Sequence, residues 1–222
     1  PGCLLTNIHV DQCQSNGDCA AAFGAGSTCS DGFCVVAPAC TTGHDCRRSG
    51  GGACAAGECV ATIPADPSGA CVTVEPAGSE TVSLVGPDAP LVVGGMFFLD
   101  DTFGPPIRDG ATLALRQINQ FGGLSGGRQL VMVSCGNFVG KQADSYKNDR
   151  EAFVLAATDY LAGTLGVPFI VGPLRSADSV PAVAHIIKQG YPTLLISPSA
   201  TSALLSGDID KLNSGDLGLF WR

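Results

Sequence analysis

Positive charge is scarce in this sequence. Its 222 residues include 12 Lys and Arg against 20 Asp and Glu, which gives a formal net charge of -8. Proteins that bind nucleic acid neutralise phosphates with clustered basic residues, so nucleic acid is excluded as an expected partner. Long hydrophobic runs are also missing, since none reaches the roughly 18 residues of a membrane-spanning helix. The chain begins at Pro1 without a methionine or an apolar leader, so we expect any signal peptide to have been removed.

Common catalytic motifs are missing as well. The sequence contains no HExxH, and His185 lies in an apolar helical pattern typical of a packed histidine. Residues 124–129 read LSGGRQ, which resembles the signature loop of ABC-transporter ATPases. A nucleotide also needs a glycine-rich cradle ending in Gly-Lys-Ser/Thr, and the nearest string, VGKQ, ends in Gln142 instead of a hydroxyl residue. We therefore predict no enzyme activity and no cofactor, and we interpret residues 122–130 as a turn from a helix into a strand.

Cysteine, in contrast, is abundant, with 11 residues. Residues 13–35 and 40–60 form an internal repeat, because in each copy the first two cysteines enclose five residues and the last two enclose four. Each copy is too poor in large apolar residues to bury a core, so we predict two disulfides per repeat, with three pairings open. A zinc site is the alternative, although His44 is the only histidine within the repeats. So many cysteines indicate an oxidising compartment outside the cytoplasm.

The remaining cysteines lie outside the repeats. We place the cysteine-rich region in residues 1–62 and predict that residues 63–89, rich in Pro, Gly, Ser and Thr, form a linker. Cys71 lies in this linker and is expected to pair with Cys135 in the next domain. Pro1-Gly2-Cys3 is typical of the end of a bacterial lipoprotein signal, so Cys3 is a candidate for lipidation, with an ordinary disulfide as the alternative. The disulfide candidates are Cys13, Cys19, Cys29, Cys34, Cys40, Cys46, Cys54, Cys59, Cys71 and Cys135.

The pattern changes at residue 90. Short apolar runs alternate with amphipathic segments, which predicts strands and helices in turn. The expected strands are 91–99, 129–135, 169–173 and 193–198, and the expected helices are 109–121, 149–165 and 178–189. Strands of this kind separated by helices predict an α/β domain over 90–222, with an open parallel sheet buried by helices on both faces.

Two hydroxyl-rich segments follow predicted strands. PLRSADSVP (173–181) comes after the third strand, and SPSATSALLS (197–206) after the fourth. In open parallel sheets ligands bind beyond the carboxyl ends of the strands, where helix N-termini offer free N–H groups. These segments would present hydroxyls and N–H groups to a carboxylate. The alternative is that each serine and threonine only caps its own helix.

The order of motifs from VVGGMFFL to LFWR resembles the first lobe of type 1 periplasmic binding proteins, in their leucine/isoleucine/valine-binding branch and its receptor relatives. The resemblance covers about residues 88–222. It implies that Ser176 holds a ligand carboxylate, that the carbonyl of Ser199 takes the ammonium group, and that Thr201 touches both groups. It also implies that Phe103 covers the ligand. Arg175 stands where some relatives have a disulfide cysteine, so that bridge is expected to be absent.

The resemblance further implies an extracytoplasmic receptor for an amino acid or similar small carboxylate. Such a protein lies in the periplasm or at the cell surface and delivers its ligand to an ABC permease or a sensor, meeting the membrane only through a lipid anchor. The family's chain enters a second lobe soon after the segment that LFWR resembles, so we expect this sequence to be a truncated first lobe. The alternative is a surface interaction protein whose cysteine repeats bind a protein or glycan partner while the α/β domain serves as a scaffold.

Overall fold

A computed structural model describes residues 12–23, 27–35, 39–48, 50–100, 102–136, 149–206 and 218–222. Cys3, the candidate for lipidation, lies outside these residues. None of the described helices is long and apolar enough to cross a membrane. The described chain comprises two small cysteine repeats and an α/β domain.

Each cysteine repeat folds as a short helix followed by an antiparallel hairpin. The first comprises α1 (Asn16–Phe23), β1 (Thr28–Ser30) and β2 (Phe33–Val35), and the second α2 (Gly43–Arg48), β3 (Ala53–Ala55) and β4 (Glu58–Val60). In both copies the acid before the second cysteine lies in the first turn of the helix and binds the backbone that leads into it. Asp18 accepts N–H bonds from Gln14 and Ser15, and Asp45 accepts them from Thr41 and Thr42. These bonds are the main reason that the pKa of each carboxyl group is lowered.

The disulfides join the first cysteine to the third and the second to the fourth in each repeat. The hairpin places the third and fourth cysteines directly opposite each other, and each reaches back to the helical segment rather than across the hairpin. In disulfide form these sulfurs offer no thiolate to zinc, although several lie within 4.8 Å of one another. The structure thus selects one of the three pairings that the sequence left open. The bonds are Cys13–Cys29, Cys19–Cys34, Cys40–Cys54 and Cys46–Cys59.

Six of the described strands form the main sheet. They are β5 (Cys71–Glu75), β6 (Leu91–Met96), β7 (Leu130–Cys135), β8 (Phe169–Val171), β9 (Leu194–Ile196) and β10 (Phe220–Trp221). Their order is β10-β9-β8-β6-β7-β5, with every neighbouring pair parallel except β5 and β7. The predicted α/β class with a mainly parallel sheet is confirmed.

Successive side chains along each strand point to opposite faces of the sheet, so the core has two layers. In β8, Ile170 packs into one apolar cluster, while Phe169 and Val171 pack into the other. The larger cluster includes α4 (Arg150–Thr158), the π-helix Asp159–Thr164 and α5 (Ser176–Gln189), and the smaller one includes α3 (Gly104–Gln120). Both faces of the sheet are therefore covered. Short 3₁₀ segments at Ser79–Thr81, Ser125–Gly127 and Ala203–Ser206 complete the described helices.

The helices differ from the expected ones mainly at their ends. Helix α3, expected over 109–121, begins at Gly104, because prolines in its first turn have φ values already suited to a helix. The segment expected as one helix over 149–165 changes to π geometry at Asp159. The glycine-rich turn at 122–130 is confirmed, with positive φ at Gly122, Gly123, Gly126 and Gly127 before β7 begins.

Part of the segment expected to be a linker belongs to the sheet. Strand β5 lies within residues 63–89 and pairs with β7, where Cys71 is bonded to Cys135 as the sequence predicted. The hydroxyl of Tyr160 donates to the carbonyl of Pro64 at 2.5 Å, which attaches the start of this segment to the π-helix. Sequence composition missed the strand because its pairing partner lies about sixty residues away, in β7.

The second cysteine repeat packs against the amino edge of the sheet. Ala53 is fully buried in the same cluster as Leu165 and Val167, which precede β8. A Cβ atom on Gly43 would lie 2.5 Å from the carbonyl oxygen of Thr164, so only glycine allows this approach. His44 is hydrogen-bonded through Nε2 to the hydroxyl of Thr193 at 3.2 Å, just before β9. This repeat is therefore part of the α/β unit.

Candidate functional site

The sheet topology defines one place where a crevice is expected. From β6 the chain passes to β7 on one side and then crosses to β8 on the other side of β6. Loops that leave the carboxyl ends of β6 and β8 therefore run in opposite directions and leave a crevice between them. The segment after β6 leads to Phe103 and α3, and the segment after β8 leads to Ser176 and α5.

Ser176 is the first residue of α5 and connects it to the loop after β9. Its hydroxyl oxygen accepts the backbone N–H groups of Thr201 and Ser202, each at 3.0 Å. These two bonds use the oxygen as an acceptor and leave its own hydrogen available for donation. In the first turn of α5, the N–H groups of Asp178 and Ser179 donate to the carbonyl of Arg175, whereas those of Ser176 and Ala177 have no intrahelical acceptor. This point at the carboxyl edge is therefore rich in donors.

The hydroxyl of Ser199 acts as a donor, in contrast to that of Ser176. Its hydroxyl donates to the carbonyl of Leu174 at 2.7 Å, so that hydrogen is engaged within the protein. Nearby, the hydroxyl of Ser197 donates to the carbonyl of Pro173 at 2.6 Å and accepts the N–H of Ala200 at 3.1 Å. The donations to carbonyls are not helix caps, because a capping side chain accepts an N–H at the start of its own helix. They hold the loops after β8 and β9 together at the edge of the crevice.

An open cavity of about 510 Å³ lies beside Ser176. Its polar wall comprises Ser176, Ser202 and the carboxylate of Glu151. The remaining wall is mainly apolar and is formed by Ala177, Val180, Pro181 and Leu204. The cavity thus combines hydrogen-bond donors, one negative charge and an apolar surface.

A buried ion pair fixes the helices that frame this cavity. Arg150 donates from Nε and Nη2 to the two carboxylate oxygens of Asp178 at 2.8 and 2.9 Å, and the Asp178 side chain is only 5% exposed. The guanidinium carbon of Arg150 also lies 3.5 Å from the ring centroid of Phe98, in the segment after β6. A bidentate arginine of this kind sets direction as well as distance. It holds the first turns of α4 and α5 against the loop after β6.

Solved structures similar to this fold are substrate-binding proteins of transporters. The branched-chain amino acid transporter substrate-binding protein LivJ from Streptococcus pneumoniae, in complex with isoleucine, is 30% identical with a TM-score of 0.42. The match covers 51% of this chain and 30% of LivJ. No family model matches the sequence, and no curated protein matches it.

Two structures of ABC transporter substrate-binding proteins from Desulfitobacterium hafniense are similar as well. One is 23% identical with a TM-score of 0.41 and matches over 51% of this chain and 30% of its own. The other, a complex with Leu, is 25% identical with a TM-score of 0.39 and matches over 60% of this chain and 33% of its own. This chain therefore spans about a third of the length of these proteins.

The structure brings together three of the four expected ligand-binding residues. Ser176, Ser199 and Thr201 lie in the two loops at the carboxyl ends of β8 and β9, joined by the hydrogen bonds described above. Phe103 precedes α3 and is 67% exposed, and it is not among the residues that line the cavity beside Ser176. The role of each in binding stays a prediction.

Sequence reasoning missed Glu151 and the Arg150–Asp178 pair. Arg150 and Asp178 lie 28 positions apart in the chain, and only the packing of α4 against α5 brings them, with Glu151, to one edge. The sequence signal was an acidic residue, Asp178, within a predicted amphipathic helix. The structure buries this carboxylate, and a buried carboxylate requires a cationic partner.

His185 is a packed residue, as its position indicated. Its side chain is 13% exposed, and Nε2 lies 2.6 Å from a carboxylate oxygen of Asp159. The hydroxyl of Tyr191 donates to the same oxygen at 3.0 Å. Burial, followed by the charge of Asp159, raises the pKa of Tyr191 to about 12. This trio joins α5 to the π-helix.

Proposed function

We propose that this chain belongs to an extracytoplasmic solute-binding protein whose ligand is an amino acid or a similar small carboxylate. The observation that carries the proposal is the position of Ser176. It begins a helix at the carboxyl edge of a parallel sheet, beside the topological switch point, with its hydroxyl hydrogen available. A carboxylate at this point would accept that hydrogen and the N–H groups of Ser176 and Ala177, favoured by the positive end of the helix dipole.

The electrostatics favour an amino acid over a simple anion. Glu151 contributes a carboxylate to the wall of the cavity beside Ser176. A zwitterion satisfies this arrangement, with its carboxylate at Ser176 and its ammonium group towards the negative side. In this proposal the carbonyl of Ser199 accepts from the ammonium group, Thr201 contacts both ligand groups, and Phe103 covers the ligand from the loop after β6.

The disulfides support the location. Five join described residues, and disulfides persist in oxidising compartments. We therefore propose a periplasmic or cell-surface protein that delivers its ligand to an ABC permease or a sensor. Lipidation of Cys3 would supply the membrane anchor.

A ligand titration tests this function. The oxidised chain, together with any sequence its gene encodes beyond Arg222, is titrated by calorimetry with leucine, isoleucine, glutamate and acetate. We expect an amino acid to bind and Ser176→Ala to weaken it at least about tenfold, because a charge-assisted hydrogen bond is lost. The matched control is Ser125→Ala, because Ser125 is exposed and lies at the opposite edge of the sheet. Equal affinity for the two variants would contradict the role of Ser176.

The alternative function places binding in the cysteine repeats. It predicts that a protein or glycan partner still binds when Ser176 and Thr201 are replaced, and that no small carboxylate binds. A glycan array with the intact protein and its Ser176→Ala/Thr201→Ala variant separates the two proposals. Glycan binding retained by the variant, together with no response to amino acids, would favour the repeats.

A further inference from the structure

A second cavity lies at the amino edge of the sheet, away from the candidate amino-acid site. Its volume is about 350 Å³, and it forms where the second cysteine repeat meets the sheet. Arg47, from helix α2, contributes to one wall, and Arg128, from the turn before β7, contributes to another. Glycines 50–52 and the segment before β6 complete much of its lining. No acidic side chain is among the described residues that line it.

The two arginines have no carboxylate partner within the part of the chain that the structure describes. Arg47 lies 2.6 Å from Nδ1 of His44, and Arg128 donates from Nε to the carbonyl of Ala89 at 2.9 Å. Four other described arginines do pair with carboxylates. They are Arg48, Arg108, Arg116 and Arg150.

The histidine beside Arg47 does not compensate its charge. Burial, together with the positive charges of Arg47 and Arg48, lowers the pKa of His44 to about 4, so the imidazole is neutral at pH 7 and acts as an acceptor for Arg47. Burial and the charge of Arg128 both lower the pKa of Arg47. Arginine nevertheless stays protonated, so two positive charges line one cavity of a protein whose net charge is -8.

We propose that this cavity binds a small oxyanion with more than one negative charge, and that Arg47 and Arg128 are its charged donors. Each guanidinium has five N–H donors, of which the contacts above use few, so donors remain for the anion. Phosphate and sulfate are the simplest ligands of this class. Because one arginine comes from the repeat and the other from the sheet domain, the bound anion strengthens the contact between them.

Thermal unfolding in phosphate, sulfate and chloride at equal ionic strength tests the site. An anion that binds only the folded, docked protein raises the midpoint with concentration. We expect phosphate and sulfate to raise it and chloride not to. Arg47→Gln and Arg128→Gln are each expected to weaken the apparent affinity at least about tenfold. The control is Arg116→Gln, because Arg116 is exposed and pairs with Glu75. This variant is expected to keep the full rise of the midpoint in phosphate and sulfate.

Chemical protection gives a readout that does not depend on the variants folding. The native protein is treated with phenylglyoxal with and without phosphate, and modified arginines are located by mass spectrometry. We expect phosphate to slow modification of Arg47 and Arg128 several-fold, while Arg108 and Arg116 react as before. Equal rates at all four arginines, or a midpoint shift that persists in both cavity variants, would overturn the proposal. Failure of amino-acid binding at Ser176 leaves this result unaffected, because the sites lie at opposite edges.

Discussion

At the scale of single residues, His44 is a polar residue that is buried in the contact between the second cysteine repeat and the sheet domain. Its ring is 9% exposed and joins Arg47 on its own helix to Thr193 on the sheet domain. The hydroxyl of Thr193 in turn donates to the carbonyl of Val167 at 2.8 Å. This chain of hydrogen bonds requires the neutral imidazole, with Nε2 protonated and Nδ1 accepting from Arg47.

The lowered pKa of His44 predicts a loss of stability in mild acid. Its pKa is about 4 in the folded protein against an ordinary value of 6.5, so between these values the unfolded chain binds the proton more readily. Stability therefore falls as pH decreases from about 6.5 to 4, by up to about 1.4 kcal/mol per pH unit. Urea unfolding at several pH values checks this. His44→Gln is expected to flatten the dependence in this window, and an unchanged slope would contradict the prediction.

At the scale of elements, strand β5 depends on a long-range bond. Five residues that pair antiparallel at the edge of a parallel sheet have few partners, and the Cys71–Cys135 disulfide closes a separation of 64 residues. The hairpins of the cysteine repeats depend on their own bonds in the same way, at separations of 13 to 16 residues.

Removal of the Cys71–Cys135 bond is expected to release β5. The chain-entropy treatment of disulfides gives about 4 kcal/mol for a loop of this length. In the Cys71→Ala/Cys135→Ala variant we expect a loss of this order in unfolding free energy and faster amide hydrogen exchange in β5. The control Cys13→Ala/Cys29→Ala opens a bond within the first repeat and should leave exchange in β5 unchanged. Unaltered protection of β5 without its disulfide would show that strand pairing alone holds it.

At the scale of the whole molecule, the second repeat and the sheet form one unit. Gly43 and Gly166 approach so closely that a Cβ atom on Gly43 would lie 2.7 Å from the backbone nitrogen of Gly166, and one on Gly166 would lie 2.5 Å from the carbonyl carbon of Gly43. The two proposed sites lie at opposite edges of the same sheet, one beyond the carboxyl ends of β8 and β9 and the other beside the repeat. The repeat therefore leaves the carboxyl edge open.

Gly43→Ala tests whether the repeat separates from the sheet. Its Cβ would lie 2.5 Å from the backbone of Leu165, so the repeat must move away or the turn must shift. We expect faster proteolysis and hydrogen exchange in residues 40–60 and a loss of about 1–3 kcal/mol in stability. Gly17→Ala in the first repeat is the control, because its Cβ makes only an ordinary contact at 3.5 Å. Equal behaviour of the two variants would contradict tight docking.

The sequence by itself determined the features that depend on neighbouring residues. The apolar runs of β6 to β9, the helices between them, the glycine turn before β7 and the two cysteine repeats all follow from local period and composition. The proximity of Ser176 to Thr201 was expected from the rule that parallel strands share a carboxyl edge. The pairing of Cys71 with Cys135 was expected as well.

Only the tertiary structure decided what depends on distant partners. It selected the disulfide pairing within each repeat, added β5 to the sheet, and joined Arg150 to Asp178. It also brought Arg47 and Arg128 to one cavity. These contacts form between segments far apart in the chain, and their free energy comes from packing and charge in three dimensions, which no local pattern of residues records.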